Sequence, residues 1–425
     1  MPIIGNNRLT IAALSFGISC TPAMAEWPGD PPWQPGDFVE WNPEDWGILL
    51  PATLEVPSEY DTIQEAVDAA EDGDTVLIAE GTYYENVTIA DKAISIKGDG
   101  LVELWWADDT AIIEVNSTPD DQWVNLEGLT FHSIVTINLP EELGGASFEY
   151  WGSETRGVTA VGAAVQVTDC EFDGMGIAYT EGDDEYGAAV AAAFASLRLD
   201  HCNFKDCRAT SGGALYAGIV NLEMNYCTFE NCQSDSSGGA AKIEYTSDVA
   251  TCDITSCSFL SNSAYSEGGA IALNQASPSI DRCYFQANTA AWGGAVYSIG
   301  SASAPSDPDV TDCQFKYDSA GELGDLWFAS SDSDPWMVGC VGCGDTDLIQ
   351  GFMVVAELNS MSESCTMCPG DLDGDGDLDV ADLLEILAHW GTADPIADVN
   401  LSGDVDANDL GWFLMIFGEC DVEPV

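Results

Sequence analysis

Between residues 160 and 320 apolar and polar positions alternate in short runs, and the runs return in a fixed frame. Cys170, Cys202, Cys227, Cys257, Cys283 and Cys313 recur every 25 to 32 residues. Each is followed two positions later by a phenylalanine: Phe172, Phe204, Phe229, Phe259, Phe285 and Phe315. Three positions before each cysteine stands Val167, Leu199, Met224, Ile254, Ile280 or Val310, with polar residues between. Period-2 alternation sends side chains to opposite faces of a strand, and the 3.6-residue spacing of a helix is missing. Ten or eleven residues after four of the cysteines comes Gly-Gly-Ala, beginning at Gly212, Gly238, Gly268 and Gly293. The pattern predicts short strands separated by bends, one set per repeat, with the repeats stacked so that each closes its neighbour's core.

Stacking turns the repeat into columns. The cysteine and phenylalanine columns are read as core ladders with like residues about 4.8 Å apart. Disulfides between rungs are the alternative that distance permits, with Cys202–Cys227 and Cys207–Cys232 as the pairs. If Leu215, Ala241, Ile271 and Val296 point inward, then Tyr216, Lys242, Ala272 and Tyr297 point outward. Exposed aromatics in a row suit stacking on a sugar face, which makes Tyr216 and Tyr297 glycan-binding candidates; a solvated strand face without function is the plainer reading.

The Gly-Gly-Ala elements pair with Phe-x-x-Asn, intact at Phe259–Asn262 and Phe285–Asn288, while Cys207 and Cys232 stand for Asn in two other turns. The combination resembles the repeat of polymorphic outer-membrane proteins, a right-handed parallel β-helix. Upstream, the amphipathic stretch Tyr60 to Ala70, followed by Val76-Leu-Ile78 and Gly81-Thr-Tyr-Tyr84, is similar to the capping helix and first rung of secreted β-helix proteins, including pectin-active ones. The resemblance implies a mainly β chain: a right-handed parallel β-helix with an N-terminal capping helix over residues 51–344, then an end-cap and linker over 345–368.

Two acidic stretches near the C-terminus, starting at Asp371 and Asp398, place oxygen side chains at loop positions 1, 3, 5, 9 and 12. That spacing suits calcium, which takes about 6 to 8 oxygens from a 12-residue loop with Gly at position 6. Each loop runs into an apolar helix, and no long helix precedes it, so residues 369–425 resemble a dockerin module. The resemblance implies two calcium ions. Its ligands would be Asp371, Asp373, Asp375, Asp379 and Asp382 in one loop and Asp398, Asn400, Ser402, Asp406 and Asp409 in the other, with the carbonyls of Asp377 and Asp404. Dockerins attach to cohesin partners through small hydroxyl residues at positions 10 and 11. Here those positions hold Val380-Ala381 and Ala407-Asn408, so the metal site carries over and a cohesin-like or cell-surface partner does not follow directly.

The formal net charge is −63. Such a surface repels nucleic acid and anionic lipid, attracts divalent cations, and would need bridging calcium to hold a polyanion. Residues 1–25 read as a secretory signal, with Arg8 as the n-region charge, Leu9 to Cys20 as the apolar segment and cleavage after Ala25. The apolar segment is too short to span a bilayer, and no later one is long enough, so an extracellular or cell-surface location is expected. Export allows disulfides among the cysteines left after Cys20. Cys340-Val-Gly-Cys343 and Cys365-Thr-Met-Cys368 read as disulfides ahead of zinc sites, with Cys420 available to Cys365 or Cys368. Residues 26–50 carry Trp27, Trp33, Trp41 and Trp46 among prolines, which fits packing on a flank ahead of glycan binding.

Catalysis has thin support in the sequence. Parallel β-helices host polysaccharide lyases and hydrolases, an argument from fold alone. A lyase needs a base, and Lys242 on the outward column is the candidate, with Arg208 or Arg282 as neighbours one or two rungs away. The bland alternative is a lysine paired with Glu244. Gly182-Asp183-Asp184 matches only a fragment of the polygalacturonase pattern, and His132, His201 and His389 are isolated. The expectation is therefore a secreted polysaccharide-binding or displayed protein, with a polysaccharide lyase or glycoside hydrolase as the alternative.

Overall fold

The computed structural model describes residues 51–106, 111–119, 122–138, 147–151, 156–176, 186–245, 251–330, 332–343, 349–351, 354–355, 360–362, 372, 378, 380–399 and 404–417. The signal-like segment with Ala25, the tryptophan-rich segment, Asp183 and Asp184, Cys365, Cys368 and Cys420 lie outside them.

Each repeat forms one turn of a coil. In one turn the chain runs through Ser196–Asp200, Asn203–Lys205, Arg208–Ala209 and Leu215–Gly218, and the next turn lays Asn221–Asn225, Thr228–Glu230, Gln233–Ser234 and Ala241–Glu244 on top in parallel. Among the described residues the ladders merge into parallel sheets of 21, ten and five strands, and a two-stranded antiparallel hairpin, Ile134–Asn138 with Ser147–Trp151, stands apart. The pairing partner of a residue lies one repeat later, Ile254 on Ile280 and Ile280 on Val310. The spacing between cysteines is thus the length of a turn.

The ladders place like residues in the core. Phe131, Phe172, Phe204, Phe229, Phe259, Phe285 and Phe315 are almost wholly buried. Their rings stack at centroid distances of 4.4 to 5.1 Å with planes within 8° of parallel. The cysteine column is buried and free of disulfides, as are Cys207 and Cys232 beside it. Its thiols donate to carbonyls of the turn below, Cys202 to Val167 at 3.5 Å and Cys313 to Ile280 at 3.5 Å. Burial raises the pKa of Cys202, Cys227, Cys257 and Cys313 and pushes Cys252 up to about 12, so these thiols stay protonated. Cys340 joins the column, its thiol on the Val310 carbonyl at 3.8 Å. A disulfide is the expectation for this motif; Cys340, buried just before the strand Val341–Cys343, carries none.

A second polar ladder runs beside the phenylalanines. Cys207 and Cys232 donate to the carbonyls of Phe172 and Phe204, and Asn262 and Asn288 donate their amides to those of Phe229 and Phe259 at 3.0 and 2.9 Å. Thiol and amide therefore fill one role, which explains why Cys stands where the repeat elsewhere has Asn. The glycine of Gly-Gly-Ala is dictated at the bend: Gly268 has φ +64°, and a Cβ there would lie 2.2 Å from the Ile271 carbonyl oxygen.

Helix α1, Ile63–Ala69, starts at a Thr62 cap and buries Ile63, Ala66 and Val67 in the same core. At the other end Ile349–Gly351, Val354–Val355 and Ser360–Ser362 extend the ladders in register. Helices α2, Val380–Ala388, and α3, Ala407–Ile416, close a separate small core of Leu378, Ile386, Ala397, Val405 and Phe413. Among the described residues no helix is long and apolar enough to cross a membrane.

Candidate functional site

The outward face of the ten-stranded sheet gathers polar and aromatic groups. Register sets Tyr216 beside Lys242, Lys242 beside Ala272 and Ala272 beside Tyr297, while Leu215, Ala241, Ile271 and Val296 are fully buried beneath. One step along the strands the same ladder aligns Glu244 with Asn274. Glu244 is the hub. Its Oε1 takes Lys242 Nζ at 3.0 Å and Asn274 Nδ2 at 3.3 Å, and its Oε2 accepts the Tyr216 hydroxyl at 3.0 Å. Lys242 also lies 5.6 Å from the centre of the Tyr186 ring, which packs at a tilt against Tyr216 at 4.6 Å. The Lys242 and Glu244 side chains are only 16% and 11% exposed. The ion pair is therefore sheltered from screening, unlike a pair on a solvated strand.

A second carboxylate stands near. Burial raises the pKa of Glu267, against the opposing pull of Lys242 and of the Tyr297 hydroxyl bonded to it. Burial, and then the charge of Glu244, raises the pKa of Tyr216 and keeps its hydroxyl a donor.

The expected row of exposed aromatics is corrected in part. The column is in register, but Tyr297 is only 6% exposed and its ring lies parallel to Phe328 at 5.6 Å. Rings stacked along the coil axis cover one another's faces, so this column offers hydroxyls and charge more than flat surface. Neither arginine joins Lys242: Arg208 pairs with Asp235 at 2.8 Å, and Arg282 reaches the C-terminal helices.

Residues 120–322 match the family model of the right handed beta helix region. The fold is a right-handed parallel β-helix. Three solved structures are similar: ORF18 of Geobacillus virus E2, at 13% identity over 73% of this chain and 59% of that one, TM-score 0.47; a deglycosylated pectin methylesterase from Aspergillus niger, at 14% over 72% and 90%, TM-score 0.35; and a PL6 family alginate lyase, at 13% over 73% and 50%, TM-score 0.32. The chain spans about three-fifths of the viral protein and half of the lyase. With TM-scores below 0.5 these likenesses decide nothing about chemistry. A sequence search of curated proteins finds no match.

Of the C-terminal loop residues, Asp382 and Asp409 are fully buried and Asp398 nearly so, whereas Asp404 is exposed. Asp382 accepts the Leu372 amide at 2.6 Å. Asp409 accepts the Asp406 amide at 2.7 Å, and Asp406 accepts that of Asn408, a capping box that starts α3. Asp371, Asp373, Asp375, Asp377, Asp379, Asn400 and Ser402 lie outside the described residues. Among the described residues no three His, Cys, Asp or Glu side chains form a metal-sized group.

One grouping escaped the sequence reading. His132 stacks on Trp105 at 4.7 Å and lies between Glu103 and Asp173, each at 3.8 Å. These residues are remote in sequence, and only pairing of the turns unites them.

Proposed function

We propose that this chain is an extracellular polysaccharide-recognising protein whose site is the Glu244-centred network on the ten-stranded sheet. The observation that supports it is the sheltered set of Lys242, Glu244, Tyr216 and Asn274 on one outward face. Donors and acceptors repeat there along the coil axis, as hydroxyl and carboxylate groups repeat along a sugar polymer. The hydrogen bonds already made hold the groups in place, so little ordering entropy is lost on binding. A neutral polymer would meet no penalty from the overall charge; an acidic one would need bridging calcium.

A second reading, a polysaccharide lyase or glycoside hydrolase at the same place, is favoured by two carboxylates, Glu244 and Glu267, beside Lys242. The raised pKa of Glu267 suits a group that holds a proton for a leaving oxygen. Residues 369–425 are proposed to bind two calcium ions and to anchor the protein. The buried carboxylates Asp382, Asp398 and Asp409 fit a hard cation, which supplies positive charge to balance them. Export by the N-terminal segment completes the proposal.

Retention on immobilised pectate, alginate and xylan, with and without calcium, tests the reading together with unsaturated-product absorbance and reducing-end release. Binding is expected on at least one polymer. Lys242→Met is expected to weaken it about tenfold or more, since the loss unpairs Glu244 as well, and a melting curve beside it separates this from unfolding. Release of unsaturated product by the wild type, abolished in Lys242→Met, would replace the binding reading with the lyase. No retention on any polymer would sink both.

A further inference from the structure

The C-terminal helices meet the β-helix at one corner, and among the described residues Arg282 makes the charged contact there. The residues turning out of the first strand of each coil, Asp169, His201, Tyr226, Ser256, Arg282 and Asp312, all have φ between 50° and 54°. Arg282 sits in this column, in a backbone conformation that its side chain disfavours. Its Nε donates to Asp394 Oδ2 at 2.9 Å, Nη2 to Asp394 Oδ1 at 3.2 Å, and Nη1 to Glu385 Oε1 at 2.7 Å. Ser256 Oγ adds a bond to Asp394 Oδ2 at 3.4 Å. His389 lies 3.3 Å from both carboxylates. The acceptor is set beforehand: Asp394 Oδ1 also takes the amides of Ile396 and Ala397 at 3.1 and 3.0 Å, and the side chain is 1% exposed. Beside the clasp a groove of about 240 Å³ lies between His201 and Tyr226 on the coil and Pro395, Asp398 and Asp404 on the helical module.

Charge makes this contact informative. The chain has 73 acidic and ten basic residues, so two of its surfaces repel unless a cation stands between them. Asp312, on the next turn, is near enough for both Arg282 and Glu385 to influence its carboxyl. Arg282 is thus one guanidinium among carboxylates from both sides, and its planar fork serves two of them at once.

We propose that the C-terminal module takes its protein partner in cis: the surface around Asp394 and Glu385 recognises the Arg282 corner of this chain's own β-helix. The module is then a brace along the coil, and an outside partner is left the exposed apolar residues Val380 and Leu384 of α2, at 57% and 60%. The clasp uses none of the proposed calcium ligands, so it stands or falls apart from the calcium reading.

Small-angle scattering of the full chain at two concentrations tests the proposal, with calcium occupancy followed separately by calorimetry. The wild type is expected to remain a docked monomer. Arg282→Asn, which suits the turn, should lower the docked-to-released ratio at least about 30-fold, the low end for unpairing a buried charge. Arg282→Glu should release the module and raise the maximum dimension. If Arg282→Glu melts early, Glu385→Lys on the module carries the same expectation. Identical scattering from wild type and both reversed variants would overturn the proposal. So would a wild-type dimer that docks one chain's module on another's coil.

Discussion

Asp318 is the point where the polar ladder of the coil is chemically incomplete. It occupies the position of Asn262 and Asn288 two turns and one turn on, and its Oδ1 accepts the Asn288 amide nitrogens of backbone and side chain at 2.8 Å each. In the turns before it, the second side-chain atom donates to a phenylalanine carbonyl; Asn288 Nδ2 does so to Phe259 at 2.9 Å. The corresponding Oδ2 of Asp318 is buried with no hydrogen-bond partner among the described residues. Burial raises its pKa to about 8, against the lowering effect of the Asn288 bonds and with a further push from Asp325. A carboxyl whose folded pKa exceeds the unfolded value of about 3.9 contributes its full stability below about pH 4 and loses it as pH rises towards 8. At pH 7 the loss is on the order of 4 kcal/mol, three pKa steps at 1.36 kcal/mol each. Asp318→Asn removes the titration and aims an amide at the Phe285 carbonyl. The variant should match the wild type near pH 4 and exceed it by about 4 kcal/mol at pH 7, with the gap levelling off above pH 8. Denaturant midpoints by circular dichroism at unit pH steps from 4 to 9 measure it. A gap that stays constant over that range, or a variant less stable at pH 8, would refute the argument.

Phe259→Ala should cost about 3 to 5 kcal/mol, because it opens a gap between two stacked rings in a fully buried column; an unchanged denaturant midpoint would contradict the ladder. The buried cysteines of the coil, Cys170 to Cys313, should resist a thiol-specific reagent in the native protein and react together on unfolding. Rapid native labelling of Cys257 or Cys283, located by mass spectrometry, would count against the core assignment. Calcium titration of the full chain by calorimetry should reveal two sites, with Asp409→Ala losing one of them; a single site in the wild type would remove one loop from the calcium reading.

Much of the coil was legible because its code is local. Val167, Cys170 and Phe172 lie within six residues, and their repetition every 25 to 32 residues fixes both the strand alternation and the turn length. The inward set Leu215, Ala241, Ile271 and Val296 follows from the same period and is fully buried. What pairing between distant turns decides was not legible. The cover on Tyr297 comes from Phe328, 31 residues on, and the clasp on Arg282 from Glu385 and Asp394, more than 100 residues away. Cys340 looks like half of a C-x-x-C pair in sequence, yet it continues the buried column of Cys283 and Cys313. His132 looked solitary because Trp105 and Asp173 reach it only across ladders.

The most direct test of the central claim is protection of Lys242. With the polymer retained best on the affinity support, short oligosaccharides of that polymer would be added to saturation during brief acetylation of the native protein, and modification read peptide by peptide. Lys242, at 16% exposure, should be acetylated slowly in the free protein and more slowly still with the oligosaccharide, while Lys97 on the other sheet should be modified equally in both. Equal labelling of Lys242 with and without a bound oligosaccharide would contradict the assignment of this face as the binding site.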